Sequence, residues 1–397
     1  MNSHNNKDLL LYSIRALLGF AVIMFLMFVA LLLPPFLSDS EIQHVKEAYT
    51  FGQITTGFTS NILTPFIGGL AAISTFLAFI VQFLANKQQR DDIKRERAEN
   101  KFYELLSLHK ENVNEISVGT FKGRDAFIKM YEEFRFTYYV VKEVFEIEQR
   151  SLNRKLELGD LIIDDITHNP QSFEEVYVIT AYHICFFGVS SLLDSNRSLY
   201  PKNIKPWFFK NSLDYLKQKY QTGESNLSLK LTNGVDIKIT DFPLTPFEGN
   251  VGKLGHYYRH LYQLVKYTVT DNDIIIKQSN TSEWKQRYSY IKTIRAQLSN
   301  HEQALIYYNS FFRAGRVWYQ DLTINQKNED GKPISYFLDY AFIKNLPYNL
   351  VRGVGPWPKL LFRNLLNERD FASSLKEPER VIAIEKRLNW LFEWEGG

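Results

Sequence analysis

The sequence predicts a mainly α-helical protein: a two-helix N-terminal transmembrane hairpin, then a helical cytosolic domain carrying a small β-hairpin insertion. Three observations carry this. Two long apolar runs fall within residues 1–87. Most of the remainder repeats apolar residues at helical spacing, and one stretch, Leu227–Ile239, alternates apolar with polar residues. The chain of 397 residues also exceeds what one compact core usually holds.

Residues Ala16–Leu33 carry no charge, and extension to Leu37 gives enough length to cross a hydrocarbon core of ~30 Å. A secretory signal has a shorter apolar stretch and a small-residue cleavage site, whereas this run ends in Pro34, Pro35 and Phe36. The second run is Pro65–Ala85, with Thr64 placed to cap it and Pro65 suited to a first turn. Its small residues, above all Gly68 and Ala72, form a candidate packing face in lipid. Lys7 and Arg15 precede the first run, and Lys46 stands with three acidic residues between the two. Lys87, Arg90, Lys94, Arg95, Arg97 and Lys101 follow the second. The positive-inside rule therefore places both termini in the cytosol.

The expected organisation is a hairpin over 1–87 (helices about 13–35 and 63–86), then a charged stalk helix and entry over 88–116. A helical domain follows over 117–315 and a C-terminal helical extension over 316–397. Phe102, Leu105, Leu106, His109, Val113 and Ile116 share one helical face; Phe127, Met130, Tyr131, Phe134, Tyr138, Val141 and Phe145 share another. Ser172 with Glu175 is a capping box opening a helix to about Leu193. A helix over Trp207–Tyr220 precedes the β-hairpin, expected at about 226–241 with Asn233-Gly234 as a two-residue turn. Helices are expected again at Gly252–Val269 and from Glu283. There Ser299 with Glu302 either breaks the stretch to Phe312 or leaves it continuous, and Gly315 ends the run. Tyr336–Asn345, Lys359–Leu366 and Pro378–Glu393 complete the series.

Composition bounds the chemistry. A net charge of +3 gives no global argument for nucleic acid as a partner, and the aromatic content of 15% reads as a packed core. The single cysteine, Cys185, lies in an apolar run and reads as a small buried hydrophobe. No phosphate loop, nucleophile elbow or paired-cysteine zinc site is present, and neither a metal nor a cofactor is expected. His256 and His260, four apart, share a helix face without an identifiable third ligand. Lys202, Lys205 and Lys210 around Trp207 and Phe208 read as a solvated loop with one buried tryptophan. Arg295 followed by His301 is the remaining catalytic candidate. Arginine could hold a phosphate while histidine moves a proton, and the pair resembles the RNA-cutting motif of HEPN ribonucleases.

Four runs occur in order: Phe102–His109 (FYELLSLH), Gly123–Phe127 (GRDAF), Tyr258–Tyr262 (YRHLY) and Arg295–Ser299 (RAQLS). Together with the preceding apolar hairpin they resemble the putative phage abortive infection proteins of the AbiC-like type, over roughly residues 10–315. The resemblance implies a bacterial anti-phage protein at the inner membrane, with the lipid bilayer, further copies of itself, and a phage-derived trigger or defence protein as partners. It implies a cytosolic sensing domain coupled to a hairpin that perturbs the membrane; a tethered ribonuclease and a non-catalytic adaptor are the alternatives. It implies no chemistry, and enzymatic activity is not expected. In the family that the chain resembles the position of His301 is usually aromatic while the RAQLS run persists; the resemblance thus implies that His301 is not a shared catalytic residue and that Arg295 is structural. His256, Tyr258, Arg259 and His260 are the candidate functional surface.

Overall fold

The computed structural model describes Gly19 and residues 64–163, 170–220, 227–230, 236–239, 247–276, 281–328 and 330–392. The chain forms two units, divided between Lys94 and Arg95. The first expected membrane helix, about 13–35, lies outside the described residues except for Gly19.

Helix α1 spans Thr64–Glu115. The expected membrane segment and charged stalk are thus one helix, because no glycine or proline interrupts 87–115 and Lys, Arg, Glu and Gln are good helix formers. Its apolar part is the one helix among the described residues that is long and apolar enough to cross a membrane, with a mean hydropathy of 2.1 and none of that window buried. Within the first unit Ile67, Phe76, Phe79, Val81 and Phe83 are all exposed. So are Gly68 and Ala72, and among the described residues nothing lies within 4 Å of a methyl built on Gly68.

In the second unit α1 buries Ala98, Phe102, Leu106, His109 and Val113, the face its periodicity predicts. A two-strand hairpin absent from the sequence reading, β1 (Ser117–Val118) with β2 (Phe121–Lys122), then turns the chain through Gly119 at φ 60°. Helix α2 (Arg124–Ser151) follows. All seven residues of its expected face are buried, and so are Phe136, Val140 and Val144. It is covered on most sides, by α4 (Phe173–Phe187), α6 (Pro206–Tyr220) and α9 (Asn300–Asn309). A short turn, α3 (Leu158–Leu161), leads into α4.

The predicted helix to Leu193 breaks at Gly188, where α5 (Val189–Asp194) begins. Ser172 caps α4 as expected, accepting from the Glu175 N–H at 3.2 Å. The break has a physical cause. Gly188 stands at φ 85°, and a methyl there would lie 2.1 Å from the Glu248 carbonyl oxygen. Phe247 accepts from the Val189 N–H at 2.9 Å, and Phe186 accepts from the Asn250 N–H at 2.9 Å. Buried Glu133 closes this junction by accepting from the Phe247 N–H (3.0 Å) and Asn250 Nδ2 (3.2 Å). Burial lifts its carboxyl to about 7 against those two bonds.

The predicted β-hairpin is present as β3 (Leu227–Lys230) and β4 (Asp236–Ile239), but with another register. A two-residue turn at Asn233-Gly234 would set Leu229 opposite Lys238. Instead Leu229 faces Ile237, and both are buried. A one-residue slip moves a strand's apolar set to the wrong face, so burial decides the register over turn preference.

Helix α7 spans Val251–Thr270, and α8 spans Glu283–Arg295. The Ser299–Glu302 capping box does break the next stretch. Glu302 accepts from the Ser299 N–H at 2.7 Å, Ser299 accepts in return from the Glu302 N–H, and α9 begins. Helix α9 stops at Asn309, and Gly315 lies in the 3₁₀ turn Arg313–Trp318, where a methyl would meet the Asn309 oxygen at 2.0 Å. Helix α10 (Tyr336–Tyr340) is shorter than predicted because Ala341 takes a left-handed conformation. The turn α11 (Tyr348–Val351), α12 (Pro358–Glu368) and α13 (Glu379–Leu391) complete the unit. Residues 316–328 and 330–392 share its core: the Tyr307 and Tyr308 hydroxyls donate to the Pro356 and Val354 carbonyls at 2.6 and 2.8 Å.

Replacing Gly188 with Ala combines a forced left-handed residue with a backbone clash. A loss of more than ~3 kcal/mol is expected, read as a lower denaturation midpoint of the purified chain.

Candidate functional site

At the start of α2 the second unit opens a cleft of about 430 Å³. Helix α1 contributes His109, Lys110 and Asn114, and β2 contributes Lys122. Gly123, Arg124 and Asp125 come from the start of α2, and Gln297 comes from the turn after α8. Three of the four runs that carry the family resemblance therefore meet here, and the fourth lies behind: the His109 ring packs on Tyr257 at 5.2 Å, and the charge of His260 reaches it. Their convergence was not legible from spacing, because the runs are far apart in the chain. The signal available was that each run ends in, or contains, a polar residue beyond its apolar face.

Packing against Tyr257 leaves His109 only 1% exposed, and among the described residues neither ring nitrogen has a hydrogen-bond partner. Burial, helped by the nearby His260, pushes its pKa down to about 4, so the ring is neutral at physiological pH. Leaving such a donor unpaired costs about 1–3 kcal/mol. The Arg124 guanidinium is exposed and donates to the Gln297 carbonyl at 2.9 Å, tying α2 to the α8–α9 turn. Lys110 and Lys122 are exposed and form no ion pair among the described residues. Three cationic side chains thus face one carboxylate, Asp125.

The residues singled out from sequence lie around this cleft in different roles. Arg295 is buried; Nη1 donates to the Ala341 carbonyl at 2.9 Å, and the guanidinium lies 6.0 Å from the Tyr288 ring centre. His301 is half-buried, with its ring edge-on to Tyr131 at 5.5 Å, and burial lowers its pKa. The two side chains engage different neighbours. The His256 and His260 rings lie 4.4 Å apart and tilted by 58°, the first exposed and the second half-buried; among the described residues no three His, Cys, Asp or Glu side chains could hold a metal ion. The Tyr258 hydroxyl donates to the Leu305 carbonyl at 3.2 Å, and Arg259 donates from Nε to the Gly255 carbonyl. In the other lysine cluster, Lys205 donates to the Gly159 carbonyl and Lys210 pairs with Asp214. The sequence reading missed His109 as a site residue, and with it Lys122, Arg124 and Gln297.

Residues 250–350, from the start of α7 to α11, match the family model described as "Putative phage abortive infection protein". This is the family the four runs resemble. It contains Gln297, Arg295 and the His256–His260 face; His109 and the Gly123–Asp125 turn lie outside the match. No curated protein and no solved structure matches the chain.

Two outcomes test these assignments. Arg295→Ala removes one of two donors to the Ala341 carbonyl, which the Lys344 N–H also meets at 3.1 Å, together with the contact on Tyr288, and is expected to lower stability by about 1 kcal/mol. His301→Phe keeps the contact with Tyr131 and is expected to leave both stability and the RNA of expressing cells unchanged; a ribonuclease using His301 would lose RNA cleavage.

A third outcome concerns pH. His109 and the buried His183 both titrate at about 4 when folded, against about 6.5 unfolded. The unfolded chain therefore holds more protons between those values. The stability they protect is intact above pH ~6.5 and is lost as pH falls toward 4, at about 1.4 kcal/mol per pH unit for each histidine. Denaturation of His183→Phe across pH 4–7 should show a slope smaller by that amount.

Proposed function

We propose that this chain is a membrane-anchored abortive infection protein: α1 sits in the bilayer through its apolar part, and the unit from Arg95 onward receives the infection signal at the cleft. The observation that carries the reading is the apolar part of α1. None of it is buried over a length that can cross a membrane, although Leu70, Ile73, Leu77 and Ile80 on one face are half-buried, in a chain whose residues 250–350 match a phage-defence family. An uncovered surface of this size is costly in water and favourable in lipid. Basic residues cluster after the span, from Lys87 to Lys101, which supports a cytosolic second unit. The run Ala16–Leu33 supplies the sequence for a second span, which would put both termini on the cytosolic side of the bacterial inner membrane. Exposed Gly68 and Ala72, four apart on α1, give a face on which spans of several copies could pack, and perturbation of the membrane by such an assembly is the effector step of this reading.

Plaque counts on cells expressing the full chain, against a deletion of residues 1–94, test it, with a potential-sensitive dye read during infection. Protection together with depolarisation is expected for the full chain, and loss of both for the deletion. Full protection by the deletion would remove the membrane from the mechanism.

A further inference from the structure

Three features of the cleft point the same way. The long helix α2 begins at Gly123, which has no side chain to cap the first turn; its carbonyl takes the Ala126 N–H at 3.1 Å, Arg124 and Asp125 line the cleft, and the positive end of a helix attracts anions. Lys110, Lys122 and Arg124 surround that end against the single carboxylate of Asp125. His109 also lines the cleft while 1% exposed, and among the described residues no protein group satisfies either ring nitrogen. Buried polar groups in native folds are nearly always paired, so an imidazole held this way is suited to a ligand atom.

We propose that the cleft binds a small phosphate-bearing anion of nucleotide size. Its phosphoryl oxygens would lie on the Arg124 and Asp125 N–H groups that open α2, among the Lys110, Lys122 and Arg124 side chains, with the imidazole of His109 donating its N–H. A dianion with several oxygens can use donors arriving from three elements at once, which a single carboxylate cannot. The volume of about 430 Å³ exceeds the needs of an isolated phosphate and falls in the range of small-molecule sites. The proposal rests on the reading of the cleft as the signal site only for its meaning in cells; binding itself is a property of the purified chain.

The test is isothermal titration of the detergent-purified full chain with inorganic phosphate, ADP and a short RNA oligonucleotide. Saturable ADP binding is expected, weakening as NaCl rises and weakening at least ~10-fold in Lys122→Gln and in His109→Phe. Lys122 is exposed and unpaired among the described residues, so its replacement leaves the fold intact; the thermal midpoint without ligand checks this. No saturable binding of phosphate or ADP overturns the proposal, as does ADP binding of equal strength in both variants. RNA binding without ADP binding overturns it in favour of a strand-binding surface. If Lys122→Gln loses ADP but still protects against phage, the ligand site stands and the cleft as signal receiver falls.

Discussion

The enclosure of α2 is the constraint on which the second unit depends. A 28-residue helix buried on most of its circumference needs partners on several sides, and its sequence supplies large aromatic and branched side chains at nearly every inward position. Phe134 meets Tyr182 and Tyr308, Phe136 meets Phe247, and Phe145 meets Phe173 and Tyr177. Burying aromatic side chains of this size is the largest favourable contribution available to such a fold. Glu133 is tolerated in the middle of this surface because it accepts from the Phe247 N–H and from Asn250. It thereby fixes where the chain crosses Gly188 and Gly249 on its way into α7.

Tyrosine does for the rest of the core what Glu133 does at that crossing. The chain carries 23 tyrosines, and many buried ones use the ring as filler and the hydroxyl as a tie. Tyr257 donates to Glu302 at 2.9 Å and so connects α7 to the capping box of α9. Tyr262 and Tyr336 both donate to Asp321, at 2.8 and 2.7 Å. Burial opposes ionisation of Asp321, but these bonds and those from Thr323 outweigh it and hold the carboxyl below its usual range. Each tie satisfies a polar group that burial would otherwise penalise.

The elements most legible in the sequence were those governed by local rules. Periodicity gave the buried face of α2, and Ser172 and Ser299 marked helix starts whose capping bonds are present. What was not legible came from contacts between distant segments. Gly188 read as an interior helix residue until the close approach of Glu248 required its backbone shape. The β3–β4 register followed the buried pair Leu229 and Ile237 rather than the turn sequence. The cleft was hidden for the same reason. His109 sits on an apolar helical face and reads as core, and only the fold shows that this face ends against β2, the start of α2 and the turn holding Gln297.

The side-chain pattern of helix α1 changes along its length. From Arg95 onward its apolar residues fall on one stripe, with Phe102, Leu106 and Val113 buried while Tyr103 and Leu108 on other faces stay exposed. Before Lys94, Ile67, Phe76, Phe79, Val81 and Phe83 are exposed, while Leu70, Ile73, Leu77 and Ile80 on one face are half-buried. The first pattern is that of a helix packed on a protein core; an apolar surface as open as the second is costly in water. The change of pattern coincides with the charged stretch from Lys87 to Lys101, where long basic side chains can keep their heads in water beside an apolar surface. His109 belongs to the packed part of this same helix. A ligand in the cleft would therefore touch the packed part of the same helix whose earlier residues form the apolar run.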